Sequence, residues 1–224
     1  MAMNKIFLFV PNLISYGRLF CYLGGFLAHV YGNWRWCVIL YSAGFMGDIW
    51  DGMAARKLNQ STKFGAAMDM LSDRVATTGL CVILAQQYPR YTLIFIILIG
   101  LDISSHYLIV YLAALQGGGN HKNFASQSEF GLLRLYYGNR YVLTAFVTGN
   151  EIVYIIMYIF SNTRGTPITW FSGGLGLWHI LLILCLPIYV LKQITNVQQL
   201  ISSIRKIAGI DAGNYEKSNK RSQH

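Results

Sequence analysis

The chain has 224 residues, of which 54% are hydrophobic and 12% charged, with a formal net charge of +9. Soluble domains carry roughly 25% charged residues, so this composition excludes an ordinary soluble globular protein. It points instead to apolar runs that cross a bilayer, which takes about 20 residues as a helix. The basic excess lies in clusters between apolar runs, with no aromatic–basic interleaving, so it reports membrane topology and not a nucleic-acid partner.

Residues 1–10 form a short amphipathic segment, expected to lie along the cytoplasmic face of the membrane. Its apolar run is short and broken by Pro11 and Asn12, unlike a cleavable signal peptide. Pro11 opens the first of six expected spans, at about 11–31, 35–55, 64–88, 91–115, 140–161 and 171–195. The turn "YGNWRW" reverses the chain into span 2, which ends at the polar loop "ARKLNQSTKFG". A tight turn at "QQYPRY" separates spans 3 and 4. The stretch "QGGGNHKNFASQSEFGLLRLYYGNR" is polar, and Gly117 to Gly119 break the helix there. Its His121 and Lys122 read as a solvated face.

"SNTRGTPITWFSGG" turns the chain into span 6, whose apolar spacing continues beyond the membrane through "KQITNVQQLISSIRKIAG". The expected architecture is an all-α integral membrane protein. A six-helix domain over 11–210 follows the interfacial segment, and a disordered cytoplasmic tail occupies 211–224. Cys21, Cys37, Cys81 and Cys185 are scattered, without the spacing of a zinc site or a redox pair.

With this topology one side carries Lys5, the Arg56/Lys57/Lys63 loop, Lys122, Arg134 and Arg140, and the basic C-terminal segment from Lys192 onward. The opposite side carries only Arg35, Arg90 and Arg164. Lys and Arg accumulate on the cytoplasmic side, so both termini and the loops after spans 2 and 4 are expected there.

Four of the nine acidic residues fall inside spans 2 and 3: Asp48, Asp51, Asp69 and Asp73. An acid at the centre of a membrane helix costs about 2.5–3.5 kcal/mol; four would cost on the order of 10 kcal/mol, comparable to the stability of a whole domain. The spacing shows what offsets this. Asp48 and Asp51 share one helix face, Asp69 and Asp73 share another, and one short loop joins the two helices.

Four convergent carboxylates would be matched by two divalent cations, hard ions that prefer oxygen ligands. Two such ions can clamp the attacking and leaving oxygens of a phosphoryl displacement. Gly52 and Ala55 remove bulk beside the acids so that a nucleotide or its phosphates can approach, and Gly65 does the same on the facing helix. Arg56 offers a planar fork for phosphate, and Thr62 and Lys63 add a hydroxyl and a cation. An ion-transport pathway is the rival reading of intramembrane acids, but it leaves the accompanying glycines and Arg56 unexplained. Intramembrane prenyltransferases also use paired acidic motifs, but far apart in sequence.

The pattern Asp48-x2-Asp51-Gly52-x2-Ala55-Arg56-x8-Gly65-x3-Asp69-x3-Asp73 fixes 8 positions over 26 residues. It resembles the motif of the CDP-alcohol phosphotransferase family without a departure, and "PNLISYGR" resembles that family's first helix. The resemblance implies a six-helix membrane fold, two divalent cations (Mg2+ or Mn2+), and cleavage of a CDP-linked phosphoanhydride with release of CMP. It implies that Asp48, Asp51, Asp69 and Asp73 bind the metals and that Asp73 takes the proton from the acceptor hydroxyl. Gly52, Arg56 and Thr62 are then expected to contact CDP-diacylglycerol, with Ala55 and Gly65 completing that site.

Within the family, "FLFVPNLISYGR", "ARKLNQSTKFGAAMDMLSDR", "LDISSH", "LRLYY" and "GNEIVY" are most similar to the eukaryotic branch whose acceptor is myo-inositol. That resemblance implies a homodimer, direct transfer, and the endoplasmic reticulum membrane, with the Golgi as the alternative. Glycerol 3-phosphate or serine is the alternative acceptor. An inositol pocket needs hydrogen-bonding groups, and the candidates are Asp102 and His106, one helical turn apart, with Arg134 and Tyr137. His106 reads equally as a packing histidine, and Asp102 and Glu151 as structural partners of Arg74 or Arg134.

Overall fold

The computed structural model describes residues 2–116, 128–163 and 177–222. The sites of His121, Lys122 and Arg164, with the Gly117 to Gly119 break, lie outside them. The described residues contain helices and no strand. In chain order they are α1 (Ala2–Phe7), α2 (Val10–Val30), α3 (Trp34–Lys57), α4 (Lys63–Gln87), a 3-10 turn (Pro89–Tyr91), α5 (Thr92–Leu115), α6 (Gly131–Gly138), α7 (Arg140–Thr163) and α8 (Leu177–Ser222).

Local chemistry places the breaks. Pro11 lies in the first turn of α2, where a missing N–H is no loss. The Val10 N–H, an orphan of that helix start, donates to Gln60 Oε1 at 3.0 Å. Gly32 takes φ +76°, a conformation open to glycine, and the Asn33 side chain then caps α3 by accepting from the Trp36 N–H. Asn59 takes φ 52° after α3, a left-handed state that Asn tolerates. Thr62 caps α4, its Oγ1 accepting from the Gly65 N–H at 2.9 Å. Asn139 accepts from the Tyr141 N–H at 2.9 Å where α6 passes into α7.

Three helical stretches are long and apolar enough to cross a membrane: Pro89–Leu115, Arg140–Thr163 and Trp178–Lys220. The first has mean hydropathy 2.2 and turns Leu93, Ile96, Ile97 and Tyr107 outward, a surface suited to lipid. α2, α3 and α4 have the length of a span at 21, 24 and 25 residues, and they carry the buried polar and acidic residues described below.

The expected disordered tail is corrected. α8 continues as helix to Ser222, because extending a long helix adds one hydrogen bond per residue fixed and needs no new nucleus; Gly209 and Gly213 do not interrupt it. "GLLRLYYG", read within a polar stretch, folds as α6, which packs Leu133 and Tyr136 with Phe146.

The chain divides into two compact units. One comprises the described residues of Met1–Phe95 and Tyr154–Thr166, the other those of Ile96–Val153 and Pro167–His224. In the first unit α2 packs mainly on α3 and also on α4. Its core holds Tyr22, Cys37, Tyr41, Leu80, Cys81 and Leu84, with the Tyr22 and Tyr41 rings 5.2 Å apart.

Small residues set this approach. A Cβ on Gly44 would lie 2.7 Å from the Tyr22 ring, and one on Gly47 2.7 Å from Arg18 Cγ. Gly44→Val should therefore destabilise the protein by about 1–3 kcal/mol through overpacking, read as a lower melting temperature in detergent. Gly17→Ala, whose Cβ meets nothing within 4 Å, should melt no lower than the parent.

Candidate active site

Three helices of the first unit build the site. α2 buries Pro11, Asn12, Ser15, Arg18 and Tyr22, a face at three- and four-residue spacing. α3 brings Asp48 and Asp51, and α4 brings Asp69 and Asp73. The two acidic pairs do meet, and a cation stands among them.

The guanidinium of Arg18 donates through Nη1 to Asp51 Oδ2 at 2.6 Å and to Asp69 Oδ1 at 2.7 Å. Through Nη2 it donates to Asp73 Oδ1 at 2.6 Å, and it lies 3.3 Å from Asp48 Oδ1. Its Nε donates to the Gly44 carbonyl at 3.3 Å. Arginine is suited to this position, since its planar fork presents five N–H donors and stays charged.

The four acids are not equivalent. Asp51 is buried and accepts from Ser15 Oγ at 3.1 Å as well as from Arg18. The side chains of Asp48, Asp69 and Asp73 remain 37%, 44% and 37% exposed, so they form the open side. Two unit charges 4 Å apart interact by about 4 kcal/mol near a protein surface. One guanidinium therefore offsets part of the mutual repulsion and leaves a net charge of about −3 when all four acids are ionised.

Carboxylate oxygens of Asp48, Asp51 and Asp69 lie within 4.8 Å of one another. An all-oxygen, net-negative group already wrapped around a cation fits a hard divalent ion. Asp73 lies outside that trio and shares Arg18 Nη2 with Asp48, while Asp51 and Asp69 share Nη1.

A cleft of about 160 Å3 opens beside the acids. Asp51 and Asp69 contribute to it, and Gly52, Ala55, Thr62 and Gly65 line it as well. Arg56 lies alongside, its Nη1 3.4 Å from where a Cβ on Gly52 would be. A Cβ on Gly65 would lie 2.8 Å from Asn12 Oδ1, so glycine there keeps the cleft open and Asn12 in place. Asn12, 1% exposed, also lines the cleft. Its Nδ2 donates to the Ile6 carbonyl at 2.5 Å, while its Oδ1 has no hydrogen-bond partner.

The four acceptor candidates belong to the second unit. His106 Nδ1 lies 2.8 Å from the Asp102 carbonyl and 3.5 Å from Asp102 Oδ1. Tyr137 donates to Gln199 Oε1 at 2.6 Å, and Gln199 Nε2 donates to the Ser105 carbonyl at 2.8 Å. Arg134 is exposed on α6. Glu151 is buried and accepts from Asn150 Nδ2 at 3.3 Å. The buried row of Lys192, Thr195, Asn196, Gln199, Ser202 and Ser203 on α8 adds further polar groups in that unit.

Sequence reasoning missed Arg18, Ser15 and Asn12. The signal was present in "PNLISYGR": three polar residues three apart on one face of an apolar helix, each needing a buried partner.

The model of the CDP-alcohol phosphatidyltransferase family matches residues 8–178. A protein of Schizosaccharomyces pombe named CDP-diacylglycerol--inositol 3-phosphatidyltransferase is 38% identical over 221 residues, covering 92% of each chain. Proteins of the same name are 38% identical in Rattus norvegicus, over 97% of this chain and 99% of the relative, and 37% identical in Homo sapiens, over 96% and 98%. No solved structure gives a significant match.

Proposed function

Because the chain belongs to the CDP-alcohol phosphatidyltransferase family, we propose that it transfers the phosphatidyl group of CDP-diacylglycerol to myo-inositol, giving phosphatidylinositol and CMP. The observation that carries this reading is the convergence of four carboxylates beside a cleft lined by Gly52, Ala55, Thr62 and Gly65, in a chain whose relatives carry that enzyme's name over nearly their full length.

In the reaction an inositol hydroxyl oxygen forms a bond to the phosphorus that carries diacylglycerol, and the bond from that phosphorus to the CMP oxygen breaks. Asp73 takes the hydroxyl proton; a neutral alcohol is a poor nucleophile and needs a base within hydrogen-bond reach. Asp48, Asp51, Asp69 and Asp73 would hold two divalent cations, Mg2+ or Mn2+, which when bound supply charge neutralisation for the diphosphate.

The cleft accepts the nucleotide diphosphate end of the lipid. Its glycines admit the phosphates close to the backbone, the Thr62 hydroxyl lies at the start of α4, where unpaired N–H groups favour anions, and the Arg56 fork stands beside Gly52. The buried Asn12 Oδ1 offers an acceptor to a donor group of the ligand. Asp102, His106, Arg134 and Tyr137 are the proposed inositol contacts.

α2, α3, α4, α5, α7 and the first half of α8 make six crossings. α1 lies along the interface, and both termini and the site are cytoplasmic, a reading supported by the Lys and Arg clusters. The membrane is that of the endoplasmic reticulum, and the working form is a homodimer.

The test is CMP release from CDP-diacylglycerol with inositol, serine and glycerol 3-phosphate side by side. Release with inositol alone is expected, and release with serine or glycerol 3-phosphate but not inositol would overturn the acceptor. Gly65→Ala, whose methyl would crowd Asn12 and Thr62, should raise KM for CDP-diacylglycerol by about tenfold with a smaller change in kcat, the pattern of lost ground-state binding.

A further inference from the structure

Arg18 touches all four carboxylates at once, through oxygens of the same acids that a divalent ion would need. Its side chain is 1% exposed, deeper than any of its partners. The surroundings are shaped for it: the Gly44 carbonyl accepts from Nε, and glycine at 47 leaves room for its aliphatic stem. A permanently charged group so placed offsets part of the repulsion among the acids without any ion, and a divalent ion brought to the same four carboxylates meets it as a rival charge.

We propose that Arg18 is an internal counter-cation: it holds the four carboxylates together in the ion-free chain and competes with the divalent cations for them. This rests on the reading of the acids as the metal site. Ion binding is then an exchange of partners and not the filling of an empty cage. The contacts to Asp48, Asp69 and Asp73, on the open side, are the ones given up. Asp51, buried and held also by Ser15, keeps the guanidinium anchored with the Gly44 carbonyl. Arg18 is a positioning residue on this view. Two consequences distinguish it from a merely structural arginine. The chain stays folded without metal, and loss of the guanidinium strengthens metal binding while weakening the metal-free fold.

The experiment uses the full chain in detergent and Mn2+ alone as the probe. The free Mn2+ signal is followed by electron paramagnetic resonance, and melting is measured in EDTA and in Mn2+, for the parent, Arg18→Lys and Arg18→Gln. The parent should bind Mn2+ and melt cooperatively in EDTA. Arg18→Gln should bind Mn2+ about tenfold or more tightly, melt lower in EDTA, and gain more from Mn2+ than the parent does. Arg18→Lys, which keeps the charge but loses the fork, should fall between them.

Mn2+ affinity equal to or weaker than the parent's in both variants would overturn the inference and leave the metal-site reading intact. No Mn2+ binding by the parent would overturn both. Should Arg18→Gln not fold in either condition, Arg18→Lys decides alone: tighter binding supports the exchange, and unchanged or weaker binding overturns it.

Discussion

Asp73→Asn should remove turnover while leaving a folded protein. The substitution keeps the shape and still offers an oxygen to Arg18 Nη2, now 2.6 Å from the carboxylate, but it removes the group that accepts the inositol proton. Loss of a general base costs typically 10²–10⁴ in rate, and loss of a metal-facing charge adds to it, so CMP release should fall by about 10³ or more. Asp73 is 37% exposed at the side chain, so the melting temperature in detergent should change little. Near-normal CMP release from this variant would remove Asp73 from the base role, and a collapsed melting curve would make it a structural acid instead.

The second large effect separates the buried acid from its neighbours. Asp51 accepts from Ser15 and Arg18 in a buried setting, so Asp51→Ala leaves the Ser15 hydroxyl only the Pro11 carbonyl and Arg18 Nη1 only Asp69. Breaking a buried pair on one side costs about 3 kcal/mol or more, and Asp51→Ala should lose both fold stability and CMP release. Asp48 is more exposed and its ion pair with Arg18 is the longest, 3.3 Å. Asp48→Ala should cost under about 1 kcal/mol of stability yet lose CMP release to a similar degree. Equal melting temperatures for the two variants would contradict the different depths assigned to them.

Much of the architecture was legible because turn chemistry is local. Gly32 and Asn33, Asn59 and Thr62, and Pro89 sit at the turns, and the long helices begin and end near them. The acidic quartet was legible because spacing alone puts Asp48 with Asp51 and Asp69 with Asp73. What spacing could not supply was a partner from a different helix. Arg18 lies 33 residues from Asp51 and 55 from Asp73, and nothing in an apolar run says which distant acids a lone arginine meets.

The C-terminal segment was misread for a different reason. Polarity suggested disorder, but a helix that has run unbroken from Leu177 passes through such composition at little cost per residue. The acceptor candidates were chosen for hydrogen-bonding capacity alone. Asp102 with His106, and Tyr137 with Gln199, pair within their own unit, and capacity does not distinguish a ligand contact from a packed polar network.

The convergence of the acids on cations is best tested by an anomalous-difference map at the manganese edge, from crystals grown with Mn2+ and CDP-diacylglycerol. Peaks between Asp48, Asp51, Asp69 and Asp73, with the diphosphate against them and Arg18 withdrawn from at least the open-side carboxylates, are expected. Manganese absent from that position, or the diphosphate bound elsewhere while Arg18 keeps all four acids, would contradict it.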